Sequence, residues 1–179
     1  MWVRLGVAIA LLALGCLPAA ASTFTIDTSA FLNGGAIPKT DAAGGDCGGR
    51  NLSPPFRLSG APAGARSFAV VAVDTDARNG AGFVHWLAYG IAPSTMSLPP
   101  GFGSAPSPAA TGGLNDAGTA LYSGPCPPHG DPPHHYVFTA YALDLAPGAL
   151  PRGLARPAFL HAIADHRLAQ AQITGLFSR

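Results

Sequence analysis

Ser67 to Ile91 reads SFAVVAVDTDARNGAGFVHWLAYGI. Phe68 to Val73 is an unbroken apolar run that stops at Asp74-Thr75-Asp76. A connection rich in Gly and Asn follows. Val84 to Tyr89 is then a second apolar run, interrupted only by His85. Short apolar runs bounded by turn residues are the pattern of buried strands. Charged groups enter such surroundings rarely and need partners when they do. The stretch therefore reads as strand, loop, strand, with Asp74, Asp76 and His85 forming a polar cluster at the edge of a β core.

The rest of the chain fits around that hairpin. Its 179 residues make one domain with mass enough for a core. Hydrophobic residues are 48% and charged residues 11%, which excludes a disordered chain. There are nine Asp, nine Arg, a single Lys (Lys39) and no Glu, for a net charge of +1. That balance gives no electrostatic case for nucleic acid or for a general membrane surface. Twenty-three Gly and 18 Pro point to a β-rich body with many turns.

Met1 to Arg4 supplies one positive charge, Leu5 to Leu14 an apolar stretch, and Ala19-Ala20-Ala21 a small-residue cleavage site. Residues 1–21 read as a signal peptide and 22–179 as one mature domain. The apolar run is shorter than the ~20 residues of a spanning helix. The expected location is periplasmic or secreted, with no transmembrane span in the mature form. An alternative is a lipoprotein anchored through Cys16, although Ala13 begins that box poorly. Once the leader is gone, Cys47 and Cys126 remain. An even number of cysteines in an exported chain fits a disulfide; two buried thiols are the other reading.

Thr23 to Ile26 and Phe56 to Leu58 read as short strands, and His135 to Leu145 as a long alternating one. Residues 93–108 form a long surface connection. Arg156 to Phe177 has no Gly before Gly175, and Pro157 suits a first helical turn. This predicts one amphipathic helix over Pro157 to Ile173, carrying His161 and His166. Strands first and a helix last imply an antiparallel all-β or α+β fold.

Besides the hairpin cluster, polar residues gather at His129, His134, His135 and Tyr136. An Asp beside a His sets its tautomer and favours the imidazolium, and Asp74 is expected to orient His85 in this way. Imidazolium, a Tyr hydroxyl and free backbone N–H groups suit a phosphate or carboxylate. Ser123-Gly124 offers such N–H groups; Pro125, Pro127 and Pro128 do not. His129-Gly-Asp131-Pro-Pro-His134-His135 has metal-ligand types but no recognised spacing, so no metal is assigned. No Gly-x-Ser-x-Gly is present, which leaves Cys126 beside histidines as the one nucleophile candidate.

A series of short motifs then falls in a recognisable order. These are Asn51-Leu-Ser-Pro54, Ala61-Pro-Ala-Gly64, Asp74-Thr-Asp76-Ala, His85-Trp86, Asn115-Asp-x-Gly118, Tyr122-Ser-Gly124-Pro-Cys-Pro-Pro128 and His134-His-Tyr136-Val-Phe-Thr-Ala-Tyr. The chain resembles the phosphatidylethanolamine-binding protein family, in its bacterial Raf-kinase-inhibitor-like branch, over most of Ser22 to Arg179. The resemblance implies two antiparallel β-sheets with Greek-key connections and peripheral helices, including a C-terminal one. It also implies an anion pocket at one end of the large sheet, for phosphate, acetate or phospholipid head groups. Carried onto this sequence, the pocket residues are Asp74, Asp76, His85, Ser123, Gly124, Pro125, His134 and Tyr136. The family's usual Asp-Pro-Asp-x-Pro is altered, because Thr75 and Arg78 replace both prolines. Leu58 and Ala117 stand where larger aromatics are common.

The expectation is a non-enzymatic, cofactor-free binding protein. Its ligand is a small anion or phospholipid head group, held by His85, His134, Tyr136 and loop N–H groups. The alternatives are a module that inhibits a protease or another envelope protein, and a small hydrolase using Asp, His and Cys126.

Overall fold

The computed structural model describes residues 23–179. The expected signal peptide and the Cys16 alternative lie outside the described residues. Nine strands and one α-helix appear in the order β1 (Thr25–Asp27), β2 (Gly35–Ala36), β3 (Phe56–Ser59), β4 (Ser67–Asp74), β5 (Phe83–Ile91), β6 (Ser97–Leu98), β7 (Thr111–Gly112), β8 (His134–Leu143), α1 (Arg156–Ala162) and β9 (Arg167–Phe177). They form a three-stranded sheet, β1-β3-β6, and a six-stranded sheet, β2-β9-β8-β4-β5-β7. The described residues are mainly β, with two sheets and one α-helix. The paired strands are antiparallel except for the short parallel β2–β9 pair, and an isolated parallel bridge joins Leu114 to Ala155.

Strand alternation sorts the side chains of the large sheet onto two faces. Phe68, Val70 and Ala72 of β4 share one face with Phe138, Ala140 and Ala142 of β8. The small sheet covers that face with Ile26, Phe56, Leu58 and Leu98, and Phe56 meets Phe138 at 4.9 Å between ring centroids. Leu58 is fully buried there, so the smaller residue is accommodated in the core. Ala69, Val71, Leu87, Tyr89, Tyr141 and Leu143 line the other face, which Phe159 of α1 and Ile163 just after it cover.

The expected helix over Pro157 to Ile173 is not one element. The helix spans Arg156–Ala162, and the chain turns at residues 163–166 into an 11-residue strand, β9. β9 pairs along the whole of β8 from His134↔Phe177 to Leu143↔Arg167. An open β8 edge leaves backbone donors and acceptors to satisfy, and that requirement outweighs the helix preference of Ala and Gln. Ala169, Ala171, Ile173 and Phe177 then face the main core at every second position. His161 stays on the helix, whereas His166 lies beyond it and pairs with Asp144 at 2.8 Å.

The long connection after β5 is pinned to the body. Ser104 Oγ accepts from Ser53 N and donates to Asn51 O, and Gly103 N donates to Ser53 Oγ. No helix among the described residues is long and apolar enough to cross a membrane.

Candidate functional site

The face that carries the core also carries the site. Asp74 is in step with Val70 and Ala72 on β4, and it pairs in register with Tyr136 on β8. His134 and Tyr136 are in step with Phe138. Regular alternation on β5 would send His85 to the opposite face from Trp86. A β-bulge prevents this: Ala72 pairs with Trp86 and Val73 with Val84, leaving His85 as the extra residue. Bulges re-aim side chains in this way. The His85 ring therefore meets Tyr136 edge-on at 5.2 Å and packs on Phe83 at 4.8 Å.

A cavity of about 400 Å³ opens where these strands end. Asp74, Asp76, His85, Ser123, Gly124, His134 and Tyr136 line it, joined by Ala43, Phe83, Cys126 and Asp131. Pro125 does not line it. It is buried, and its carbonyl accepts from Ala43 N at 3.0 Å. Asp131 and Phe83 are wall residues that the sequence reading left unassigned. Asp131 had a visible signal, as one of the ligand types between His129 and His134.

Asp74 is the centre of the hydrogen bonding. Its Oδ1 accepts from the backbone N–H of Asp76 and Ala77 at 3.0 and 3.1 Å. Its Oδ2 accepts from His134 Nδ1 at 2.8 Å. The expectation that Asp74 orients His85 therefore fails, because the cross-strand neighbour on β8 takes that oxygen. His85 Nδ1 instead donates to Ser123 O at 2.7 Å. The expected anion-binding N–H groups of Ser123 and Gly124 are also engaged elsewhere. Ser123 N donates to His85 O at 2.9 Å and Gly124 N to Asn51 Oδ1 at 2.7 Å.

The two histidines are pushed in opposite directions. Burial holds the His85 pKa below its usual value, against the pull of the Ser123 carbonyl and of Asp74 and Asp116. Burial also opposes a charge on His134, but its hydrogen bond to Asp74, the Asp74 charge and Asp131 outweigh it and raise its pKa. Asp131 lies 3.5 Å from His134 Nε2. At the mouth, the backbone hydrogen bond from His135 holds Asp76 below the usual carboxylate range. Burial and then Asp74 raise the Tyr136 pKa, so its hydroxyl stays protonated. Tyr136 OH and Asp41 Oδ2 are the two buried side-chain polar atoms without a hydrogen-bond partner among the described residues. Only Tyr136 belongs to the cavity wall.

The turn that lost its prolines is held by other means. Arg78 and Asn79 adopt left-handed backbone, with φ of 55° and 56°. The Arg78 guanidinium pairs with Asp116 at 3.1 Å and lies 4.9 Å from the Phe83 ring centroid. Asp116 also accepts from Val84 N. Arg78 is therefore a brace at the rim, already paired, rather than a free cation. Ala117 is exposed in a turn organised by Asn115, whose side chain bonds His85 O and Leu121 O and accepts from Ala117 N and Thr119 N.

Behind the cavity, two loops are fastened together. Cys47 and Cys126 form a disulfide with Cα atoms 5.5 Å apart. Tyr122 OH donates to Asp41 O at 3.0 Å. Gly124 passes so close to Asp41 and Ala42 that a Cβ would overlap their backbone atoms. Gly124→Ala should therefore force the loops apart, destabilising the protein by about 1–3 kcal/mol. A thermal melt checks this: an unchanged midpoint would mean that the loops do not need this approach.

The fold is that of a family with many relatives. The sequence profile of the phosphatidylethanolamine-binding protein family matches residues 27–178. This chain belongs to the phosphatidylethanolamine-binding protein family. The crystal structure of E. coli YbcL, described as a new member of the mammalian PEBP family, matches with a TM-score of 0.80 at 31% identity, over 88% of this chain and 99% of that one. A UPF0098 protein of Archaeoglobus fulgidus is 38% identical over 154 residues, which is 84% of this chain and 50% of that relative's length. The Mycobacterium tuberculosis protein LppC, which carries a lipoprotein name, is 39% identical over 163 residues, covering 88% of this chain and 74% of LppC.

Proposed function

We propose that this chain is an exported, non-enzymatic binding protein whose cavity takes a small phosphoryl head group bearing a cation. The observation that carries this is the pairing of two donors on the inner wall. The Tyr136 hydroxyl is buried with no hydrogen bond of good geometry, with Asp74 and the Cys126 backbone among its polar neighbours, and Asp74 favours the charged form of His134. Buried polar groups are normally satisfied, so an orphaned hydroxyl on a cavity-wall residue points to a ligand atom. Charge-assisted hydrogen bonds from His134 suit a phosphoryl oxygen.

The wall also explains why a bare anion is a poorer fit. Asp74, Asp76 and Asp131 line the cavity, and the guanidinium of Arg78 is already committed to Asp116. Asp76 and Asp131 are the more exposed carboxylates, with side chains 43% and 44% accessible. An ammonium on the ligand would meet them while its phosphoryl group reaches His134 and Tyr136. The expected leader, the disulfide and the lipoprotein name of LppC agree on an envelope location.

The other two readings have less behind them. Leu114 is the one large hydrophobic residue strongly exposed near the 93–114 connection among the described residues, which gives little apolar patch for a protease to meet. A disulfide-bonded Cys126 has no thiolate with which to attack.

Calorimetric titration at about pH 6 tests the proposal, with phosphorylethanolamine and inorganic phosphate as ligands. Phosphorylethanolamine should bind saturably and about tenfold tighter than phosphate, since one charge-assisted contact is worth about that factor. Absence of binding would refute the reading. Tighter binding of inorganic phosphate would refute the role given to Asp76 and Asp131.

A further inference from the structure

The hydrogen bond of His85 decides what its ring offers a ligand. Ser123 O is a carbonyl and only accepts, so Nδ1 at 2.7 Å carries the proton. The neutral ring then presents Nε2 as a lone-pair acceptor. Nε2 has no hydrogen-bond partner among the described residues, and the ring is part of the cavity wall. Burial opposes a second proton on the ring, although the groups around it favour one. Asp74 on β4 and Asp116 after β7 are the charges that face it. Tyr136 on β8 contributes an uncharged hydroxyl, Phe83 an apolar ring, and the Ser123 segment a carbonyl. The ring is 7% exposed, and that burial works against a charge.

His134 shows the opposite arrangement. Its Nδ1 proton goes to Asp74, and its Nε2 lies 3.5 Å from Asp131, a residue of the cavity wall. The charged ring carries an Nε2–H that a ligand oxygen would share with Asp131. The inner wall thus offers two donors, at His134 and Tyr136, and one acceptor, at His85. A phosphoryl group without a proton has only lone pairs. It satisfies both donors but sets an oxygen lone pair against His85 Nε2. A group that keeps one P–OH satisfies all three.

We infer that the cavity selects phosphoryl and phosphonyl groups that retain one proton, donated to His85 Nε2. It therefore discriminates phosphomonoesters from phosphodiesters, including the intact diester head group of a phospholipid. This inference rests on the phosphoryl reading of the cavity given above.

Two ligand pairs test it by calorimetry at about pH 6, near where phosphomonoesters lose their second proton. 2-Aminoethylphosphonate and taurine share their carbon chain, amine and tetrahedral head, but only the phosphonate can carry a hydroxyl proton. Phosphorylethanolamine and its O-methyl diester differ in the same respect. The hydroxyl-bearing member of each pair should bind about tenfold tighter or more, the cost of facing a buried acceptor with another acceptor. Its advantage should shrink as the pH is raised to about 8 and the proton leaves. Loss of charge at His134 weakens both members alike, so the ratio isolates the P–OH. In the phosphonate complex, the 15N shifts of His85 should show a proton on Nδ1 and none on Nε2.

Equal binding within the pairs, or an imidazolium at His85 in the complex, overturns proton selection and leaves the phosphoryl site standing. If none of the four compounds binds, both readings fall.

Discussion

Asp74→Asn should weaken phosphorylethanolamine binding by about tenfold to a hundredfold and destabilise the fold by about 3 kcal/mol. The reason is the division of labour within one carboxylate. Oδ1 holds the Asp76 and Ala77 N–H groups, and Oδ2 holds His134 Nδ1. An Asn amide has one oxygen and one NH2. Whichever way it turns, the NH2 faces a donor. His134 can escape the conflict by giving up its Nδ1 proton, which removes the cation that the ligand needs.

The pH dependence gives this prediction a sign. The folded pKa of His134 is raised above the ~6.5 of an unfolded chain. Stability from that pair is fully present below ~6.5 and is lost as the pH rises through the folded value. The gap between the protein and its Asp74→Asn variant should therefore be widest in mild acid and narrow towards alkaline pH. It should not close, because Oδ1 keeps its two backbone partners. Denaturant unfolding at several pH values measures it. A gap that is flat with pH would contradict the His134–Asp74 assignment.

The Cys47→Ser/Cys126→Ser double variant should lose about 4 kcal/mol, a melting midpoint lower by roughly 10 °C for a chain of this size. The bridged residues are 79 apart in sequence, so their link removes much freedom from the unfolded chain. It also joins the two loops that support the cavity. Ala43 N–Pro125 O and Gly124 N–Asn51 Oδ1 remain as weaker ties, so binding should fall only a few-fold. Melting the unaltered protein with and without reductant supplies the control. Reductant should lower the midpoint to that of the variant, whereas an unchanged midpoint would show that the cysteines were never joined.

Much of the site was legible because strand alternation is local. Two apolar runs placed Asp74 at the end of β4 and His85 within β5, and alternation placed Tyr136 in β8, whereas His134 entered through the family resemblance and proved to be the first residue of that strand. What the sequence hid was register. The bulge at His85 exists only in the pairing of Val73 with Val84 and Ala72 with Trp86. Asp74 was assigned to His85 because the hairpin makes them near in sequence, but β8 is an equally close neighbour in space. The Ser123 and Gly124 N–H groups read as free because their acceptors, His85 O and Asn51 Oδ1, come from 38 and 73 residues away.

The terminal segment failed for a different reason. Leu160, Ile163, Ala164, Leu168 and Ala171 fall near helical spacing with no Gly before Gly175, while Ala169, Ala171, Ile173 and Phe177 also alternate as a strand. Where both periods fit, the sheet edge waiting to be paired decides.

The most direct test of the account is to follow the histidine and tyrosine ring resonances by NMR while phosphorylethanolamine is added at about pH 6. Saturable shifts are expected at His85, His134 and Tyr136 with a common midpoint, and none at His161 or His166. Shifts at the distant histidines with His85 and His134 unmoved would contradict it.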